Sequence, residues 1–579
     1  MHEECGYDRD LAVTTHVEIL KCKPCVHNRS VVMNRKNLTA AVLAGLAGAA
    51  GIVGSAQAVN INPDGLGQVL VYPYYTVNNG NMTFFSVVNT TDWAKAVKVR
   101  FLEGMNSREV LDFNLYMSHH DVWVASIKWE TSENSLGVSS TAPTLTVRDN
   151  TCTVPYIRNF TDGSGVIHGK QPFLNFAYSG ANTDGGPTTI DRAAEGHFEM
   201  LEMGTMVGSS ALAATHTTAR VPPITFNPAN SATGPCEQLI GAWSTSGGGI
   251  PGYWLVNPLR DLVTHTGGLF GSAGVINVPK ASLYSYDPHA LNDWTRSLWT
   301  DGDDPILGQL FPIHRIPGST EPSLNSGDQL VGTIFLSTPV APAIALSNLG
   351  AFTRGVDAVS YTFMRDQLMN EYTTQASVLG ATEWVITFPT KNFYVDPVIV
   401  GAVALPPFTK IFTGTACEIV ELEIWDREEQ QEQGTPSGPI VSPPPPGDEE
   451  LTAELCYETN VVQFNSSDDL SVTPSGILGS SNGISIDNGA LGFNSGWMRI
   501  GMHRFTDALG VVNFRGPLGG LVGLPVTGFS VSEFTNGSLG AGVVATYGGL
   551  WEHKYTRQCS LENTAGIVFG CPFTRPAGP

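Results

Sequence analysis

The sequence predicts a mainly β protein, built of antiparallel β-sandwich units of immunoglobulin-like type with a few short helices. Three observations lead there. Glycine (63) and proline (37) are plentiful in 579 residues, which disfavours long helices. Apolar and polar residues alternate with period two over short runs. Clusters of turn-forming residues separate those runs at hairpin spacing.

The best-defined unit covers 59–150. "VLVYPYYT" opens it, and "MTFFSVVNTTDWAKAVKVRFLEGMNSREVLDFNLYM" continues it. Val97, Val99 and Phe101 point one way while Lys98 and Arg100 point the other. Leu111, Phe113, Leu115 and Met117 alternate with Asp112, Asn114 and Tyr116. Asn89-Thr90-Thr91-Asp92 and Glu103-Gly104-Met105-Asn106 supply turns. Residues 151–350 form a β-rich middle region with short helices. "GHFEMLEMGTM" and "AGVINVPKASLYSYD" read as strands, "CEQLIGAW" and "HALNDWTRSLW" as helices. Residues 351–579 form a third, β-rich region. "GVDAVSYTFMRDQLMNEY" sets Val356, Val359, Phe363 and Leu368 at helical spacing, and "TEWVITFPTKNFYVDP" returns to strand. The acidic, proline-rich 427–450 cannot build a core and reads as an exposed loop between two paired strands.

Residues 1–58 combine an N-terminal extension with a cleavable signal peptide. Arg35 and Lys36 supply a positive start, Leu38 to Val53 is an uncharged apolar run, and Ser55-Ala56-Gln57-Ala58 offers small residues to a peptidase. Cleavage is expected between Ala58 and Val59, with Met33 as the true start. A transmembrane anchor over Asn37 to Ala58 is the competing reading, but four glycines weaken that stretch and no basic stop-transfer cluster follows. No stable membrane insertion is therefore expected after cleavage. The upstream Cys22-x-x-Cys25 lacks a second cysteine pair and is a weak metal or redox signal.

Cysteines 152, 236, 417, 456, 559 and 571 follow the signal, an even number suited to disulfides in an oxidising compartment. Placing Cys417 opposite Cys456 in an antiparallel hairpin also sets Val420 opposite Ala453, Leu422 opposite Leu451 and Glu418 opposite Leu455. That register gathers apolar residues on one face, as a half-buried hairpin requires. Cys559–Cys571 would close a short terminal loop, leaving Cys152–Cys236.

The formal net charge is −22, so no basic footprint for nucleic acid or anionic lipid exists. P-loop and HExxH motifs are absent. Asp301, Asp303 and Asp304 are hard oxygen donors that could begin a calcium site, the one cofactor considered, though Asp-Gly-Asp-Asp-Pro is also turn chemistry. His119, His120 and Asp121 are read as turn residues. Glu199 and Glu202 are read as solvated strand charges. The 11 tryptophans and 16 tyrosines are scattered, so they are read as core before sugar-stacking platform.

"VVNTTDWAKAVKVRFLEG", "TEWVITFPTKNFYVD" and "GLPVTGFSVSEF" together resemble a group of large, uncharacterised secreted or cell-surface proteins of Gram-negative bacteria. The resemblance implies export and carries no catalytic residue. The expectation is an exported, non-catalytic structural or adhesive protein, periplasmic, at the cell surface or extracellular. The alternative is a secreted carbohydrate-binding or carbohydrate-hydrolysing protein. Expected partners are a further copy, through strand addition at "VNINPDGLGQVLVYPYYT", or a surface glycan.

Overall fold

The computed structural model describes residues 58–559, apart from 134–138, 158, 162–166, 216–235, 246–248, 296–312, 337–343, 349, 431–450, 466–473, 488–491, 507–511 and 537–544. The chain is mainly β, with antiparallel sheets and few helices. Two sandwiches form the body.

In the first, the central strands of one sheet run in the order Val69–Thr76, Glu195–Met206, Ala94–Glu103 and Glu109–Met117, all antiparallel. The facing sheet runs Leu269–Asn277, Met82–Asn89, Val122–Glu133 and Ser139–Val147. Tyr72, Phe85, Phe101, Trp123 and Phe198 meet between them. Strands from residues 60 to 292 build this sandwich, so 150 falls inside it and not at its edge. The pairing between Val69–Thr76 and Glu195–Met206 slips at a bulge, where Pro73 has no N–H to contribute. A Cβ on Gly196 at that bulge would lie 2.0 Å from the Leu102 carbonyl oxygen, so only glycine fits.

The first sheet is covered on both faces. A second core packs Val69, Val71, Leu201 and Tyr116 against Trp243, Trp254 and Trp294. This is why Lys98 and Arg100 point away from one core and still lie buried.

The second sandwich faces Glu418–Asp426, Ser495–Gly501 and Gln367–Thr373 with Thr459–Asn465, Gly380–Thr387, Thr527–Asn536 and Ala545–Glu552. One pair, Thr459–Asn465 with Gly483–Asp487, is parallel. The hairpin of Glu418–Asp426 and Leu451–Leu455 sets Glu418 opposite Leu455, Val420 opposite Ala453 and Leu422 opposite Leu451, with Cys417 bonded to Cys456.

Two helical expectations change. The helix Gly355–Phe363 ends before Leu368, which lies in the strand Gln367–Thr373. Pairing with Ser495–Gly501 overrides the helical spacing there. His289–Asn292 is not helical but a short strand on Val69–Val71, with Ala290 and Leu291 buried. The helix Cys236–Ala242 forms as the sequence predicts and is bonded through Cys236 to Cys152.

Candidate functional site

A cluster of buried charged groups lies where the sandwiches meet. Glu103 ends a strand of the first sandwich and accepts the backbone N–H groups of Met105, Asn106 and Arg108 in the following turn. Ser107 in that turn has a positive φ of 50°, which folds the turn back on itself. Arg192 donates to both oxygens of Glu103 at 2.8 and 2.9 Å and to both of Asp184 at 2.7 and 2.8 Å. Its guanidinium lies 4.5 Å from the centre of the Tyr178 ring. Arg108 carries the network across to Asp396, 2.8 Å away, in the second sandwich. Burial would raise the Asp184 carboxyl, but Arg192 and Asn106 hold it down at about 2.

Behind this network, the strand beginning at Thr459 hydrogen-bonds the same turn: Glu458 and Thr459 donate to the Met105 and Gly104 carbonyls. Neither carboxyl oxygen of Glu458 has a hydrogen-bond partner among the described residues. Burial pushes this carboxyl well above the carboxylate range despite nearby Lys391, which burial in turn draws down to about 8. These groups are enclosed, and what they do chemically is bind the two sandwiches to each other.

Sequence-predicted residues fall elsewhere. Asp301, Asp303, Asp304 and Cys571 lie outside the described residues, as does the proposed Cys559–Cys571 pairing. Residues 1–57, with the CxxC, also lie outside; Ala58 and Val59 are buried. Val59 exchanges backbone hydrogen bonds with Val331 and Thr333, and Val69–Thr76 is flanked by strands of its own sheet on both sides. His119 and His120 sit in an exposed turn, where His120 meets Asp92 at 2.9 Å. Glu199 and Glu202 are not solvated, contrary to the alternation. Both are buried, Glu199 paired with Arg100 and Glu202 with Lys95, because the second core covers that face. Cys417, Glu454 and Cys456 lie close enough to share a metal, but the disulfide removes both thiolates as donors.

On the surface, a cleft of 580 Å³ opens beside Trp129, with Asn78, Lys128 and Asp191 on its wall. Trp129 is 38 % exposed, an aromatic face next to amide and charged groups. The neighbouring Asn79 and Asn81 are already engaged with the Gly476–Leu478 backbone. Trp425 and Trp497 stack at 4.1 Å on the second sandwich, with Arg499 over Trp425. The sequence shows these aromatics only as scattered residues and does not reveal that they meet. Among the described residues, no helix is long and apolar enough to cross a membrane. No protein-family model, curated protein or solved structure matches the chain.

Proposed function

We propose that this chain is an exported, non-catalytic protein with a structural or adhesive role at a bacterial cell surface or in the extracellular matrix. The observation that carries this reading is the use of its buried charges. Arg192, Glu103, Asp184, Arg108 and Asp396 join the two sandwiches to each other instead of facing a cleft. The disulfides Cys152–Cys236 and Cys417–Cys456 support an oxidising destination. The immunoglobulin-like character of the sandwiches belongs to this proposal, supported by Trp123 buried between two antiparallel sheets. N-terminal sequencing of the native protein from cell fractions tests export. Val59 as first residue in a surface or extracellular fraction is expected; an intact Met33 start in the cytoplasm overturns it.

A second reading, glycan binding, draws on the Trp129 cleft, where a sugar ring could stack while Asn78, Lys128 and Asp191 meet its hydroxyls. A glycan array separates the two: binding lost in Trp129→Ala favours the lectin, and a clean negative favours the scaffold. Self-association by strand addition is tested by deleting Val59–Gln68. Oligomer size on chromatography that does not change removes that partner.

A further inference from the structure

We propose that a cleft between the two sandwiches binds an oxyanion, a carboxylate or a sulfate, between Arg365 and Arg557. The cleft measures 380 Å³, and both arginines line it together with Tyr555, His289 and the apolar Ile334 and Phe335. Arg365 is only 4 % exposed and Arg557 is half-buried.

Most of this protein's other buried cations are in ion pairs, Lys391, which donates to the Leu455 and Tyr457 carbonyls, being the exception. Lys95 faces Glu202, Arg100 faces Glu109 and Glu199, Arg192 faces Glu103 and Asp184, and Arg515 faces Glu418. A buried charge without a counter-charge is costly, and each of these has one. Arg365 and Arg557 have none among the described residues. Asp287 and Glu552 line the same cleft, are exposed, and form no ion pair with either guanidinium. Two guanidiniums instead share one aromatic ring, their Cζ atoms 3.9 and 4.9 Å from the Tyr555 centroid.

Helix capping accounts for part of this arrangement. Arg365 Nη1 donates to the Thr362 and Met364 carbonyls, and Arg557 Nε and Nη2 donate to the same two, at the C-terminal end of Gly355–Phe363. One cation suffices to cap a helix end. A second beside it adds repulsion, and burial together with Arg557 draws the Arg365 guanidinium down to about 9. The remaining donors of Arg365, Nε and Nη2, meet no acceptor among the described residues, while Arg557 is also held by the Tyr555 hydroxyl. A guanidinium with unused N–H groups beside a second guanidinium matches the paired oxygens of a carboxylate or sulfate. His289 stays neutral there, drawn down to about 4 by burial and by Arg365, and it holds Thr527 at 2.5 Å. The apolar wall of Ile334 and Phe335 leaves room for the body that bears the anion. This site stands on its own observations and does not depend on the export reading.

The test is a thermal-midpoint titration of the intact chain at constant ionic strength. The probes are sodium sulfate, sodium acetate, polygalacturonate and dextran sulfate. A saturable rise in wild type is expected, with the half-saturating concentration raised about tenfold in Arg557→Gln, as loss of one charge-assisted contact predicts. Arg365→Met should remove the response. A polymer acting at lower anion concentration than its free ion identifies an acidic polysaccharide as the carrier; equal potency per anionic group identifies a small free acid. A rise that does not saturate, no rise, or an equal rise in wild type and Arg557→Gln overturns the site and leaves helix capping as the arginines' whole role. Arg557→Gln keeps the test open if Arg365→Met fails to fold, because Arg557 is the less buried of the two.

Discussion

At the residue scale, the decisive groups are buried charges. Arg192 holds two carboxylates that have no water to turn to. Replacing it with methionine leaves Glu103 and Asp184 buried without a cation, and should cost about 3–5 kcal/mol in urea unfolding. Glu458 presents the opposite case. Its carboxyl is pushed up by burial, so folding takes up a proton that the unfolded chain releases above about pH 4.5. Stability from this group is therefore fully present below that pH and declines as pH rises toward the folded value. Glu458→Gln does not titrate. Its stability relative to wild type should be near equal at about pH 4 and should improve toward about pH 7. Denaturation midpoints at both pH values check this; a variant that instead weakens as pH rises would mean that Glu458 is ionised and supports Lys391.

At the element scale, the Cys417–Cys456 hairpin shows what a sequence can specify. A disulfide and a two-residue periodicity are independent constraints, and both select one register. The disulfide spans 39 residues, so replacing both cysteines with alanine should cost about 3–4 kcal/mol by chain entropy. The register should persist, because Val420, Leu422, Ala453 and Leu455 remain buried; amide exchange of these strands reads it directly. Other elements were less legible, for identifiable reasons. Glu195–Met206 was recognisable as a strand, but its burial on both faces depends on segments far along the chain. Leu368 continued a helical spacing until a partner strand more than a hundred residues later claimed it. The arginine cleft was invisible for the same reason. Arg365 and Arg557 are far apart in sequence, and no local pattern records that one tyrosine lies beneath both.

At the scale of the whole molecule, the sandwiches share a core as well as an ionic clamp. Val385, Val461, Ile477, Leu478 and Phe529 of the second sandwich belong to the same apolar cluster as Tyr72 and Phe198 of the first. Thr387 donates to the Pro73 carbonyl at 2.7 Å, and Glu195 accepts from both Tyr74 and the Ser481 backbone. Phe529 stacks on Tyr286, centroids 5.0 Å apart, and meets Tyr74 edge-on at 6.3 Å. Such continuity makes the sandwiches one cooperative unit, in contrast to domains that meet through a small polar interface. Calorimetry should then show a single transition. Phe529→Ala opens a cavity in the shared core and should cost about 3–5 kcal/mol. The transition should move down as a whole without splitting. Two transitions, of which only the second-sandwich one shifts, would show that each sandwich is stable alone and that the buried clamp only docks them.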